Sequence, residues 1–494
     1  MPSFYSIHFG CRANQADAAA IEADLAGRGF QAAEDPSNAQ VVVLNSCTVT
    51  AAADSELRQT VRRIHRENPA ARILVTGCYA QRRPEEIAAL PGVEWVVGNS
   101  HKDKIGDLLL PRRAERAGDG TWVPVQDLFV SPQPPDVDYR TLGSVASADD
   151  PGLPPPRVLV GNISAERQFS AAPFFGGAIE DRTRPNLKIQ DGCNNRCSFC
   201  IIPSVRGLSR SLPAPEVVRQ MNALAGAGYR EVVLSGVNLG QYGRDLPGQP
   251  RFARLIRMIL DETPVERLRL SSVEPMDWTD SLLELMASTP RVARHVHAPL
   301  QSGSDRILRL MHRKYRAAQY RNRILAAFER MPDAAFGADV IVGFPGETDD
   351  DFDQTRRLIE SLPFTYLHVF PFSRRPGTPA DSMKDQVHGS VLRERGRILR
   401  ELAAEKNRLF RERQLGRTLI VLTLEESASE GTAALSDNYL KVVIPGERLP
   451  ANQWVRVRIV SIGEGNLVGA KEASAAESYS AAEFSPSITT CASA

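Results

Sequence analysis

The stretch from Leu187 to Cys200 constrains this chain more than any other. A short strand, Leu187-Lys188-Ile189, runs through Gly192 into Cys193-x3-Cys197-x2-Cys200, so three thiols leave the end of one strand on a single short loop. Strand-like segments follow at 231–234, 268–270, 295–297, 338–341 and 366–369, with helical patterns between them at 216–227, 252–262, 280–288, 317–330 and 350–361. Strands alternating with amphipathic helices predict a parallel sheet covered by helices. Six such units are too few for an eightfold barrel. The expected class is therefore α/β, with a partial (β/α)6 barrel at 183–412.

Clustered thiolates are the ligands that iron–sulfur clusters need. Three protein thiolates on a four-iron cluster leave one iron open to the amine and carboxylate of S-adenosylmethionine (SAM), whose sulfonium an electron from the cluster cleaves. A zinc site is the competing reading. Zinc takes four ligands, usually as two Cys-x2-Cys-type pairs, and no fourth Cys or His lies nearby, only Asp191. Gly236, Glu274, Gln301 and Gly343 fall at later strand ends, which form the functional face of a barrel. Glycine lets backbone approach a ligand closely. Glu274 and Gln301 offer hydrogen bonds to the ribose or the methionyl group, and Phe199 is placed to pack on the adenine. Ordinary loop chemistry or core packing is the alternative for each.

The first 110 residues show a second β-α-β-α series. Cys11 follows its first strand, Cys47 the second and Cys78 the third, at separations of 36 and 31 residues, each about one βα unit. All strand C-termini of a parallel sheet lie on one edge, so cysteines far apart in sequence are expected to converge there. Three buried apolar cysteines are the alternative. Helices are expected over 16–27, 54–67 and from Pro84.

Composition bounds the rest. The 494 residues carry a net charge of +1, so nucleic-acid binding has to come from local patches. No apolar run is long enough to span a bilayer, and the N-terminus lacks a signal-peptide layout. A cytoplasmic setting is expected, where cysteines serve as ligands more often than as disulfides. Residues 111–182 are rich in Pro, Gly, Ala and Ser and read as a partly flexible linker, with strands expected at 121–125 and 157–160. A basic helix at 391–415 precedes strand-like segments at 419–424, 439–443 and 454–459, a small β-barrel spanning 413–474. Residues 475–494, with Cys491, read as a disordered tail without a role. The barrel holds seven Lys/Arg against eight Asp/Glu over 412–472. Better RNA-contact candidates are Arg309, Arg313, Lys314 and Arg316, in a run from Arg306 to Arg323 without an acid, and the helix at 391–417, with nine Lys/Arg against four Glu. Solvated helix faces are the alternative for both.

Taken together, Gly10-Cys11-Arg12-Ala13-Asn14-Gln15, Asn45-Ser46-Cys47-Thr48-Val49, Thr76-Gly77-Cys78 and the Cys193 motif with Ile202-Pro203 and Arg206-Gly207 resemble the radical SAM methylthiotransferase family over nearly the whole chain. The resemblance implies an N-terminal cluster domain (1–110), the radical SAM core and a TRAM-like barrel. It also implies two [4Fe-4S] clusters, one held by Cys193, Cys197 and Cys200 for SAM cleavage, the other by Cys11, Cys47 and Cys78 for sulfur delivery. A tRNA substrate and an electron donor of flavodoxin or ferredoxin type go with it. Asn14-Gln15, Asp191-Gly192 and Gly236-Val237-Asn238-Leu239-Gly240-Gln241-Tyr242-Gly243 look most like the branch acting at C2 of threonylcarbamoyladenosine at tRNA position 37. The isopentenyladenosine branch tends to have Gln-Met-Asn after its first cysteine, and the ribosomal-protein aspartate branch Pro-Lys-Asn. A non-catalytic iron–sulfur RNA-binding or redox protein is the alternative of another class.

Overall fold

The computed structural model describes residues 2–110, 156–167, 169, 183–428, 431–446 and 448–472. They form two units, Met1–Ala178 with Ser204–Gly207, and Ile179–Pro203 with Leu208–Ala494.

The first unit is built on six parallel strands, β1 (Ser3–His8), β2 (Gln31–Ala32), β3 (Val41–Ser46), β4 (Arg72–Gly77), β5 (Val93–Gly98) and β6 (Arg157–Leu159), in the order β2-β1-β3-β4-β5-β6. Every residue of β3 is buried, as expected of a central strand covered on both faces. Side chains alternate between those faces. Val42, Leu44, Ile73, Val75 and Val96 meet Leu57, Val61 and Ile64 of α2 (Ala51–Glu67), after α1 (Arg12–Gly27) in the chain. Val41, Val43, Leu74, Trp95 and Val97 meet Ile21 and Leu25 of α1 on the other side. Three short helices complete the unit, α3 (Cys78–Arg82), α4 (Pro84–Ala88) and α5 (Ile105–Leu109).

The segment at 157–160 thus adds an edge strand to this sheet. The expected strand at 121–125, most of 111–182 and the tail from 473 onward lie outside the described residues. Helix α1 begins at Arg12, four residues before the sequence expectation. Its N-cap is Cys11 with extended backbone and no side-chain cap bond, so none of the usual Ser, Thr, Asp or Asn signals marks the start.

The second unit carries the six expected parallel strands, β7 (Asn186–Asp191), β9 (Glu231–Gly236), β10 (Arg267–Leu270), β11 (His295–His297), β12 (Ala335–Val342) and β13 (Tyr366–Pro371), with a short antiparallel β8 (Arg210–Ser211) beside β7. They pair as β10-β9-β7-β8 and β11-β12-β13. Leu268–Val292 bridging and a Val273 N–H bond to the His297 carbonyl at 3.1 Å join the two groups. After α6 (Ile202–Arg206), most of which belongs to the first unit, the helices of the second are α7 (Ala214–Gly226), α8 (Phe252–Glu262), α9 (Asp280–Ser288), α10 (Asp305–Leu310), α11 (Ala317–Arg330), α12 (Asp349–Ser361) and α13 (Gly389–Glu412). Helix α8 buries Phe252, Leu255, Ile256 and Ile259, the apolar stripe its sequence spacing dictates.

A closed barrel follows, β14 (Thr418–Ala428), β15 (Gly431–Ser436), β16 (Lys441–Pro445), β17 (Trp454–Ile462) and β18 (Leu467–Lys471), in the order β14-β15-β16-β18-β17. No helix among the described residues is long and apolar enough to cross a membrane.

Candidate functional site

In the first unit, strands β1, β3 and β4 are neighbours, and Cys11, Cys47 and Cys78 follow their C-terminal ends by three, one and one residues. Adjacent strands run about 4.8 Å apart, so the sheet brings the three thiols to one short edge. Asn14, fully buried, binds the adjoining loops together. Its Nδ2 donates to the Phe9 carbonyl at 2.8 Å and to the Ser46 carbonyl at 2.9 Å, and its own carbonyl accepts from Asn45 Nδ2 at 2.7 Å. Asn99 Nδ2 donates to Cys78 Sγ at 3.5 Å. Glycine is obligatory at two points. A Cβ on Gly10 would lie 2.6 Å from Cys47 Sγ, and one on Gly77 would lie 2.4 Å from the Ser46 carbonyl oxygen, both at positive φ. Burial pushes the Cys47 thiol up to about 12, and the neighbouring Cys78 and Cys11 push it the same way, against the pull of buried Arg206. Arg206 pairs with Asp17 at 2.9 Å.

In the second unit, the loop after β7 turns at Gly192 (φ +69°) into Cys193. Each sulfur of the motif accepts a hydrogen bond. Cys193 Sγ receives the Asn195 N–H at 3.4 Å, with Asn238 and Gln241 amides at 3.9 Å. Cys197 Sγ receives Arg313 Nη1 at 3.3 Å. Cys200 is bonded by the Ile202 N–H. Burial pushes the Cys200 thiol up to about 12, and Cys197 and Cys193 add to it. The loop is fastened from outside: Ser198 Oγ donates to the Leu310 carbonyl at 2.7 Å, and Asn194 N–H to Gln241 Oε1 at 3.0 Å. Gln190, buried at the strand end, accepts the Asn238 N–H at 2.7 Å and donates to the Gly192 carbonyl, also at 2.7 Å.

The remaining expected residues divide. Glu274 stands beside this loop, ion-paired to Arg313, and both line a cavity of about 140 Å³ with Cys197, Gln241 and Tyr315. Gly236 backs onto Gln190 and Leu239 with no room for a Cβ. Gln301 holds a left-handed backbone (φ +62°), its N–H donating to the Asp339 carbonyl at 2.8 Å. The Gly343 N–H donates to Glu347 at 2.7 Å. Phe199 meets Phe344 edge-on at 6.4 Å, so its ring is engaged in protein packing. The basic run separates: Arg309 and Lys314 are exposed and Arg316 partly so, whereas Arg313 is buried. Its guanidinium is spent on Cys197 and Glu274, which takes it out of the expected RNA-facing set. On α13, Arg397 and Arg408 pair with Glu394, Glu401, Glu405 and Glu412 along the helix, the alternative of a solvated helix face.

One group had not been expected. On the open face of β11–β13, His368 Nδ1 lies 3.1 Å and His297 Nε2 3.4 Å from Asp339 Oδ1. Burial pushes the Asp339 carboxyl up, yet the two imidazoles outweigh it and hold it well below the usual carboxylate range. Period-2 alternation puts His368 beside Asp339 only once the register Asp339↔His368 is known. Among the described residues, these three are the set whose potential ligand atoms all fall within 4.8 Å of one another. The cysteine sets are spread more widely than one tetrahedral zinc allows, where sulfurs sit about 3.8 Å apart. Their all-thiolate donor chemistry is what a multi-iron cluster takes.

A strand-end cysteine triad on a six-stranded partial barrel defines a class, and comparison with known proteins agrees: residues 187–359 match the family model described as Radical SAM superfamily, which implies SAM and a [4Fe-4S] cluster. Residues 3–98 match Uncharacterized protein family UPF0004. The chain is 36% identical to the threonylcarbamoyladenosine tRNA methylthiotransferase MtaB of Bacillus subtilis (strain 168), covering 93% of this chain and 95% of that protein. It is 35% identical to the protein of the same name from Aquifex aeolicus (strain VF5), over 91% of this chain and 98% of the other. A tRNA-2-methylthio-N(6)-dimethylallyladenosine synthase of Thermobifida fusca (strain YX) is 34% identical, over 84% and 77%. Among solved structures, the radical SAM methyltransferase TsrM of Kitasatospora setae shares the fold at a TM-score of 0.53 and 16% identity, over 77% of this chain and 75% of that one. The chain belongs to the radical SAM methylthiotransferase family.

Proposed function

We propose that this protein methylthiolates C2 of N6-threonylcarbamoyladenosine at position 37 of tRNA. The observation that carries the reading is the pair of cysteine triads, each at the C-terminal ends of parallel strands of its own sheet, in a chain that two relatives named threonylcarbamoyladenosine tRNA methylthiotransferase match over 93% and 91% of its length.

Cys193, Cys197 and Cys200 would hold the SAM-binding cluster, and Cys11, Cys47 and Cys78 a second, sulfur-delivering one. When bound, the two supply an electron for cleaving SAM and a sulfur atom for insertion into a C–H bond, with a flavodoxin- or ferredoxin-type protein as the electron source. The chain's own residues do the positioning. The hydrogen bonds to Cys193 and Cys197 orient the ligands and disperse thiolate charge. Glu274, which lines the cavity beside Cys197, and Gln301 are the proposed hydrogen-bonding contacts of the ribose and methionyl group, while Gly236 and Gly343 let the loops pack tightly against Gln190, Leu239 and Leu392. Exposed Arg309 and Lys314, with Arg316, are the proposed phosphate contacts.

Mass spectrometry of tRNA nucleosides from cells with and without the gene tests this. The expected result is loss of the 2-methylthio derivative, with threonylcarbamoyladenosine accumulating. Loss of the methylthio group from dimethylallyladenosine instead would assign the activity named for the Thermobifida relative. An unchanged tRNA profile would overturn the tRNA reading.

A further inference from the structure

Arg313 lies in the middle of a basic run, yet its side chain is only 4% exposed. Each edge of its guanidinium is occupied. Nη1 donates to Cys197 Sγ at 3.3 Å, Nη2 to the Glu274 carboxylate, and Nε to the Tyr315 hydroxyl at 3.3 Å. The Tyr315 hydroxyl donates onward to the Leu300 and Pro299 carbonyls, both at 2.8 Å. Cζ lies 5.0 Å from the Tyr315 ring centroid. One planar cation thereby ties together the cysteine loop, the loop after β10 and the loop after β11. Lysine, a point charge on a flexible stem, does not reproduce that fork.

We propose that Arg313 is a positioning residue that sets the reduction potential of the SAM-cleaving cluster through its hydrogen bond to Cys197, with Glu274 moderating the effect. This rests on reading Cys193, Cys197 and Cys200 as cluster ligands. Hydrogen bonds to ligand sulfur, local charge and exposure are what set iron–sulfur potentials. A donor on Cys197 Sγ stabilises the electron-richer, reduced form, and a cation held in a buried site does the same at short range. The Glu274 carboxylate on the other edge of the fork offsets part of that charge. Removing the arginine therefore lowers the potential, and neutralising the glutamate raises it. A merely structural role would not give opposite signs.

The test uses the full-length chain carrying Cys11→Ala, Cys47→Ala and Cys78→Ala, so that a single reconstituted cluster reports, and follows its one-electron reduction by EPR-monitored redox titration. At the parent's midpoint potential, Arg313→Gln is expected to show about tenfold less reduced relative to oxidised cluster, equivalent to ~59 mV for a one-electron couple. Arg313→Lys should fall between, and Glu274→Gln should shift upward. An Arg313→Gln variant with full iron content and the parent's potential would overturn the proposal, as would Arg313→Gln and Glu274→Gln shifting in the same direction. If Arg313→Gln fails to hold iron, Arg313→Lys and Glu274→Gln decide by the sign of their shifts. A parent chain with no four-iron signal responding to SAM would instead defeat the reading of the three cysteines, a failure distinct from an unshifted variant.

Discussion

Cys200, half-buried, and Cys47, buried, are each crowded by two other thiols, yet they belong to different triads, so their loss should be separable. Cys200→Ala is expected to abolish 5′-deoxyadenosine formation from SAM under reduction. Cys47→Ala should leave that product forming while methylthiolated tRNA falls below detection. Full methylthiolation by Cys47→Ala would remove the second triad from the mechanism. Gly77 offers a stability counterpart. Its φ of +100° and the nearness of Ser46 backbone leave no place for a side chain, so Gly77→Ala should cost about 1–3 kcal/mol from strain alone and displace Cys78, read as a lower melting temperature and lower iron content. At this scale the sequence was a mixed guide. The thiols declared themselves by standing after strands. Arg313 misled, because a run of cations without an acid says nothing about which one turns inward; its partners Cys197 and Glu274 are 116 and 39 residues away in the chain.

Strands β9 and β10 are joined by more than their ladder. Glu231, the first residue of β9, is fully buried, and Arg269 of β10 reaches it at 2.7 Å, with Arg184 at 3.5 Å and Arg267 at 3.7 Å. Burial pushes the Glu231 carboxyl up, but the three arginines outweigh it and hold it down at about 2, against an ordinary value of 4.5. A depressed carboxyl contributes stability that is fully present above 4.5 and is lost as pH falls from there through about 2. Urea denaturation should therefore show the wild type weakening more steeply than Glu231→Gln as pH drops from 4.5 toward 3, while at pH 7 that variant should be less stable by about 3–5 kcal/mol, because it leaves arginines buried without their counter-charge. Equal pH slopes for the two proteins would show that the ion pair does not carry the effect. Long periodic elements such as α8 and α11 were readable to within a residue. Strand β15, Gly431–Ser436, was not: its Gly and two Ala have little strand preference of their own, and it exists because β14 and β16 pair with it on both sides.

At the scale of the molecule, the C-terminal barrel reads from sequence as a separate module, but its bonds say otherwise. Arg269, already paired to Glu231, donates to the Ser436 and Asp437 carbonyls of the β15–β16 turn at 3.0 and 2.9 Å. Tyr439 of that turn stacks on His295 with ring centroids 4.5 Å apart. Asn452 Nδ2 donates to the Gly228 carbonyl at 2.7 Å, the Glu425 N–H to Thr183 at 3.0 Å, and Arg417 pairs with Asp333 at 2.6 Å. Thr183, Gly228, His295 and Asp333 all lie at or just before the N-terminal ends of β7, β9, β11 and β12. The barrel therefore closes the end of the sheet opposite the cysteine loop, and Ala335 and Phe410 are buried in the barrel's own core. None of this was legible beforehand, since alternation marks a strand but not the distant carbonyls that a buried arginine will need. A chain ending at residue 412 should consequently lose more than an appended module. It would leave the Arg269 guanidinium short of two acceptors in a buried site, at about 1–3 kcal/mol for each unmet hydrogen bond, and expose apolar surface at Ala335 and Phe410. The expected outcome is loss of the cooperative thermal transition of the second unit together with loss of iron at Cys193, Cys197 and Cys200, followed by calorimetry and iron analysis on a chain that also lacks the N-terminal triad. Retention of both, with only tRNA affinity reduced, would make the barrel a true appendage and assign its contacts to the sheet no structural weight.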